Sequence, residues 1–183
     1  MMNSFLKIFA VLIAVLLLYL YPISAAFEQQ DDISELVALR ATTQFVDAVR
    51  DKGGITPTMY NDLMSALSAT GNTFVVEMEH GSKKYVPVYL DPTRPETFQN
   101  TYEIHYDSYY QAQILSVLFP GNSLAKDDPS RRYRMHTGDY FSVVVRNLNR
   151  TAGTLYFDFL ANTISPTEKI VIPYGGVVRN EMD

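Results

Sequence analysis

Three histidines, His80, His105 and His136, are the side chains in this sequence best suited to moving protons near neutral pH. No two of them stand at a metal-ligand spacing such as i, i+4 on one helix. His105-Tyr106-Asp107 places an imidazole and a carboxylate two positions apart, which on a strand would aim both from one face. A lone triplet of that kind has little specificity. Glu77 and Glu79 also alternate onto one strand face, but Lys83 and Lys84 follow closely, and cross-strand ion pairing on a solvated face accounts for all four. Asp127-Asp128 could help to hold calcium in a loop; with no further acidic spacing they read as a polar turn. There is no G-x-S-x-G elbow, no phosphate loop and no cysteine. The missing cysteines exclude thiol nucleophiles, iron–sulfur clusters and Cys-type zinc sites. The residues therefore nominate no catalytic, cofactor-binding or metal site, and the chain reads as a non-enzyme. The feature that would revive an enzymatic reading is a pocket in which His105 or His136 meets a carboxylate from a distant position.

Binding is the other chemistry on offer. Tyr102, Tyr106, Tyr109 and Tyr110 lie close together and can form an adhesive aromatic surface. The net charge of −5 and the isoelectric point near 5.2 argue against a nucleic-acid surface. Arg131, Arg132 and Arg134 are the one basic cluster, and they sit beside Asp127 and Asp128, where local charge balance explains them. No small-molecule substrate is evident.

The element that must place any such surface is the apolar stretch at residues 8–21, IFAVLIAVLLLYLY, which has no polar group beyond two tyrosine hydroxyls. A spanning helix needs about 20 apolar residues, since roughly 30 Å of hydrocarbon is crossed at 1.5 Å per residue. Residues 5–27 reach that length if Lys7 snorkels, with Phe5, Ile8, Val11, Leu16, Leu18 and Tyr21 among the anchoring side chains. The pattern of a cleavable signal peptide is present too: Lys7 as basic flank, Pro22 as helix breaker, and Ser24-Ala25-Ala26 before a cut at Phe27. The chain beyond the run continues as a helical pattern through Lys52, which favours an uncut anchor with Pro22 inside one long helix. Lys7 is the only basic residue before Arg40, and Glu28, Asp31, Asp32 and Glu35 follow the run. The positive-inside rule then predicts a single-pass protein of the cell membrane, with its N-terminus in the cytoplasm and the rest outside. This divides the chain into an anchor at 1–27 and an extracytoplasmic domain at 28–183. Cleavage before Phe27 would instead release a secreted or surface-displayed binding module.

About 157 residues follow the possible cut, enough for one domain with a proper core. The composition, 47% hydrophobic and 19% charged, is that of a globular chain rather than a disordered one. Ile33, Val37, Ala41, Phe45 and Val49 recur at i, i+4 and predict the packed face of the long helix. Leu39 and Val46 fall roughly opposite, and could meet a partner together with Tyr102, Tyr106 and Tyr109. Thr56-Pro57 predicts a helix start and Gly71-Asn72 its end, giving a short helix over 56–70. Residues 73–79 and 84–90 predict a hairpin turning at His80-Gly81-Ser82, with Pro87 implying an edge strand or a bulge. A short strand at 102–106 and a second helix at 108–119, capped by Asp107, come next. Residues 122–138 predict the longest exposed loop. Strands follow at 139–147, at 154–160 (where a helix is the alternative) and at 169–174, before a turn at Gly175-Gly176. The sum is an α+β fold: a long N-terminal transmembrane-plus-amphipathic helix packed on a small antiparallel sheet with two short helices.

Several strings also resemble a known group. Phe45-Val46-Asp47-Ala48-Val49-Arg50-Asp51-Lys52-Gly53 with Ile55-Thr56 and Tyr60, then LSATGN at 67–72 and a strand ending in Glu79-His80, look like the minor pseudopilins of the Gram-positive Tad (Flp) type IV pilus system. Gly138-Asp139-Tyr140-Phe141-Ser142-Val143 and Pro173-Tyr174-Gly175-Gly176-Val177 look like the same group. The resemblance implies a pilin-like fold and, as partners, the membrane and other pilus or secretion subunits. One departure matters. Pilins are cut after a small residue, usually glycine, ahead of the apolar run, and carry a glutamate at the fifth mature position. Here no glycine precedes Gly53, and no acidic residue precedes Phe27. The resemblance therefore implies an accessory or priming component rather than a major pilin.

Overall fold

Residues 2–52 hold no helix breaker other than Pro22, and they form one helix. In the computed structural model, which describes residues 2–121, 124–167 and 169–182, α1 spans Met2–Lys52, about 75 Å at 1.5 Å per residue. Pro22 lies inside it without ending it. Arg50 and Lys52 in the last turn suit the negative end of the helix dipole. Gly53 then takes φ +69°, the left-handed cap that glycine enters without strain. Its missing side chain also matters, because a Cβ there would collide with the Asn180 backbone.

The N-terminal part of α1 is bare and the C-terminal part is embedded. The covered stripe runs through Leu20, Ser24 and Phe27, which are half-buried, into Asp31, Ser34, Ala38, Thr42, Phe45, Val46 and Val49, which are buried. This corrects the expected packing face. Phe45 and Val49 are buried and Ala41 is half-buried, but Val37 is exposed and Ile33 is 54% exposed. Four residues advance a helix by about 400°, so a strict i, i+4 ridge drifts about 40° per step and about 120° from Phe45 back to Ile33. The real stripe mixes steps of three and four. Val46, expected to face a partner, is wholly buried in the chain's own core, whereas Leu39 is exposed.

Strand β1 (Gly54–Ile55) leads into α2 (Pro57–Ser68). The Thr56 side chain caps α2 by accepting from the Met59 N–H at 3.3 Å, with Pro57 at the first helical position. Thr56→Ala is expected to cost about 1 kcal/mol; a shift in urea midpoint with unchanged slope would show it. Beyond α2 come β2 (Phe74–Tyr89), β3 (Phe98–Tyr110), α3 (Gln111–Leu118), β4 (Tyr133–Arg134), β5 (Tyr140–Asn147), α4 (Ala152–Ala161) and β6 (Val171–Val177). A four-stranded antiparallel sheet has the order β3-β2-β5-β6, and β1 pairs with β4 in a two-stranded ribbon. The alternating inner face of β5, Phe141, Val143 and Val145, meets Phe45, Val46 and Val49 of α1 in one core with Leu63, Leu67, Ile114 and Leu118. Phe45 and Phe141 make an edge-on ring contact at 6.2 Å. The α+β architecture expected from the sequence is thus present, a long N-terminal helix, a small antiparallel sheet and short helices.

Four local expectations are overturned. His80-Gly81-Ser82 is not a turn. β2 runs straight through it, and Gly81 pairs with Ser108 on one side and Tyr140 on the other. Glycine is used there for close approach, since an added Cβ would come within 3.3 Å of the Tyr106 ring. The register shift between Pro87 and Tyr89 does match the bulge that Pro87 implied. Asp107 does not cap a helix: it lies in β3 opposite Ser82, the strand extends to Tyr110, and the Tyr110 backbone N–H is bonded by the Gln113 side chain at 2.6 Å where α3 begins. Residues 154–160 are helical, because Thr151 caps α4 by accepting from the Thr154 N–H at 3.2 Å. Gly175 and Gly176 continue β6 opposite Ser142 and Phe141. They are small for the sake of their neighbours, as the Arg50 guanidinium lies 2.6 Å from where a Gly176 Cβ would be. Of the expected loop at 122–138, Asn122 and Ser123 lie outside the described residues.

Candidate functional site

Three features of the surface and interior are organised beyond what a minimal fold requires. The first is the bare part of α1. Phe5, Ile8, Val11, Leu16, Leu18 and Tyr21 all stand exposed. The helix contains an 18-residue window of mean hydropathy 2.5, none of it buried, and is long and apolar enough to cross a membrane by length and composition.

The second is a two-stranded arm. β5 stops pairing with β2 at Gly81, so from Ser82 onward β2 has only β3 beside it. Directly paired residues share a face, which sorts the arm into two unlike sides. Lys84 and Val86 oppose His105 and Glu103, and Ser82 opposes Asp107. There Lys84 pairs with Asp107, and His105 lies 3.5 Å from Glu103. The other side carries Tyr85 opposite Ile104, Pro87 opposite Tyr102, and Lys83 opposite Tyr106. Tyr85, Tyr102, Ile104 and Tyr106 are all more than half exposed. The Lys83 ammonium sits 4.8 Å from the Tyr85 ring centre, and Phe98 packs edge-on against Tyr102 at 5.4 Å. Of the tyrosines proposed from sequence, Tyr102 and Tyr106 thus share an aromatic face with Tyr110. Tyr109 belongs to the opposite side, where its ring stacks on His80 at 5.6 Å. Leu39 lies on α1, away from this face.

The third feature was hidden by the false turn. His80 is buried, and its ring bridges two groups: Nε2 lies 2.9 Å from Asp139 Oδ2 and Nδ1 lies 2.8 Å from the Tyr133 hydroxyl. With the hydroxyl donating to Nδ1, Nε2–H donates to the carboxylate. Asp139 also accepts backbone N–H groups from Lys83 and His136, each at 2.8 Å. Burial pushes its carboxyl up, but these donors and the imidazole outweigh that and hold it below the usual carboxylate range. Burial, followed by the Tyr109 and Asp139 charges, pushes the Tyr133 phenol up to about 12, so at neutral pH it remains a donor. The order Tyr–His–Asp has the form of a proton relay, but it is sealed: His80 is only 4% exposed. What the arrangement does is tie β2, the turn before β5 and the β1–β4 ribbon into one unit. His105 and His136 stand in solvent, His136 with Nδ1 3.8 Å from Asp139 Oδ2. Among the described residues no three His, Asp or Glu side chains gather in a way that could hold a metal ion.

The remaining polar candidates have local roles. Glu77 pairs with Arg146 at 3.3 Å, and Glu79 accepts from Ser108 at 3.1 Å. Asp128 caps a short turn by accepting the Ser130 N–H at 2.9 Å. Arg131, grouped by sequence with surface charge, is instead buried; its guanidinium donates to the Leu118 carbonyl at 2.9 Å and so satisfies the end of α3. No protein-family model, curated protein or solved structure matches this chain.

Proposed function

We propose that this chain is a non-enzymatic, membrane-anchored interaction protein, an accessory or minor component of a Tad/Flp-type pilus or secretion apparatus. α1 crosses the cell membrane once with its amino end in the cytoplasm. The head carries the aromatic face of the arm to other exported subunits. The observation that supports this best is the continuity of α1: one helix whose bare apolar part passes, without a loop, into the core of the head. A head rigidly joined to its span transmits position and force, which suits a component of a membrane machine. The charge asymmetry about the span supports the orientation. The Tad reading rests on the sequence strings described above, which fall at the end of α1, the end of α2, the start of β5 and within β6.

The arm supports a protein partner rather than a substrate. A two-stranded ribbon is marginal by itself in water, and this one leaves four large apolar side chains exposed on one side. A photoreactive residue in place of Tyr102, in the full chain in its native membranes, is expected to cross-link to another exported subunit. Tyr102→Ala with Tyr106→Ala should weaken that capture on the order of tenfold or more, while β5 amides keep their exchange protection and so show the head still folded. Intact mass and N-terminal sequence of the same material check the anchor. A chain starting at Phe27 with no cross-link would sink the proposal in favour of a released binding module.

A further inference from the structure

Helix α4 is built inside out. The residues it turns toward the protein are Gly153, Thr154 and Asp158, all buried. The residues it turns outward are Leu155, Phe157, Phe159 and Leu160, and Ile164 follows just beyond the left-handed Asn162 cap. Phe159 and Ile164 are 81% and 83% exposed. A helix facing water has the reverse pattern. The inversion is deliberate in its detail, because the inward polar groups are bonded. Asp158 accepts the Ser165 hydroxyl at 2.7 Å and lies 3.4 Å from Arg150, and Thr154 shares a hydroxyl contact with Thr151 at 2.9 Å.

The position of α4 says what the outside is. Gly153 lies against Phe27 and Asp31 of α1. One turn later, the Tyr156 ring packs on Phe27 at 5.3 Å, and its hydroxyl donates to the Leu20 carbonyl at 3.2 Å. The contacts step down α1 from Asp31 into the apolar run. A span of about 20 residues beginning near Phe5 leaves Leu20 close to the outer limit of the hydrocarbon. The outward face of α4 therefore continues the lipid-facing surface of α1 at the depth where acyl chains give way to headgroups. Tyr19 and Tyr21 are exposed at the same level, where interfacial aromatics concentrate.

We propose that α4 is a second membrane contact, an interfacial wedge whose Phe157, Phe159, Leu160 and Ile164 enter the acyl–headgroup boundary of the leaflet from which α1 emerges. This rests on the reading of α1 as a membrane span. Lipid is the occupant because the patch is continuous with the span and lies at its rim. Such a wedge fixes the rotation and tilt of the head, which a lone helical stalk leaves free.

The chain has no tryptophan, so single reporters can be placed in the full-length protein. Phe159→Trp and, independently, Ile164→Trp are reconstituted at low protein-to-lipid ratio in vesicles of phosphatidylcholine and phosphatidylglycerol. The lipids are brominated either near the headgroup end of the acyl chain or deep within it. Leu12→Trp reports the span and Tyr85→Trp the distant arm. A ring seated roughly 5–10 Å into the boundary is expected to lose about half its emission to the shallow bromines and less to the deep ones. Leu12→Trp should be quenched best by the deep bromines and Tyr85→Trp by neither. If Leu12→Trp is quenched while both α4 reporters are not, the wedge is wrong and the span stands. Unquenched, blue-shifted α4 reporters mean that protein covers the patch, which also overturns it. If Leu12→Trp itself escapes quenching, the span fails and the wedge falls with it.

Discussion

Asp139→Ala is expected to lower the unfolding free energy by about 3–5 kcal/mol, since it strips a buried carboxylate from several donors, each costing roughly 1–3 kcal/mol when left unsatisfied. The side chain is 1% exposed and serves three donors, the His80 ring and the backbone N–H groups of Lys83 and His136. Alanine leaves all three without their acceptor, and each unsatisfied buried donor carries its own desolvation cost. Asp139→Asn keeps the shape and an acceptor oxygen and should cost less. The pH dependence follows from the depressed carboxyl. Its folded pKa lies below the ordinary value of about 3.9, so the native state favours the carboxylate. That stabilisation is complete above the unfolded pKa and is lost as pH falls through the folded value. The native chain should therefore lose stability more steeply below about pH 4 than Asp139→Asn does. Urea unfolding of the full chain in detergent, followed by tyrosine fluorescence across that range, measures both effects. Parallel acid profiles in the two proteins would show that Asp139 does not carry this linkage.

The same pair shows why parts of this fold were legible in the sequence and others were not. The long helix, the Thr56 cap and the β-branched core strand β5 are local signals, and each appears where propensity places it. His80-Gly81-Ser82 also has strong local turn chemistry, and there tertiary structure wins. Strands on both sides hold Gly81 in register, while Asp139 and Tyr133, more than fifty positions away, satisfy the histidine. Gly175-Gly176 misleads in the same way, because its glycines answer to the Arg50 side chain and to Ser142 rather than to a turn. The apolar ridge on α1 is packed at Phe45 and Val49 and exposed at Val37 and Ile33, because four residues overshoot a whole turn. The tyrosines of the arm were visible as a cluster; which of them share a face depended on a register that the chain reveals only when paired. For α4 the sequence carries no turn or period that marks its faces: its apolar residues lie outside and Thr154 and Asp158 inside, the reverse of a water-facing helix.

Asp31 and Gly153 should behave as a coupled pair, and this is the strongest test of how the head is joined to its stalk. Asp31 is buried on α1 at the top of the apolar part. Its carboxylate accepts from the Thr151 hydroxyl at 2.5 Å and from the Lys169 ammonium at 2.8 Å, so it binds α1 to the start of α4 and the approach to β6. Gly153 allows this, because a Cβ there would overlap the Asp31 carboxylate. Asp31→Ala is expected to cost about 1.5–3 kcal/mol, as for hydrogen bonds to a charged group. Lys169 is 44% exposed and can turn to solvent, which keeps the cost below that of Asp139→Ala. Gly153→Ala overpacks the same point and should cost about 1–3 kcal/mol. The double variant should cost clearly less than the two together, by an amount on the order of 0.5–3 kcal/mol, because removing the carboxylate makes room for the methyl group. Hydrogen exchange localises the effect: α4 amides should lose protection in either single variant while those of β5 keep theirs. Additive costs, or loss of protection spread evenly over the sheet, would mean that the contact between Asp31 and Gly153 does not couple α4 to α1. The coupled result would mean that the join extends along α1 down to Asp31, where the bare part of the helix begins. Orientation of the head would then be set by two fixed points on α1 rather than one.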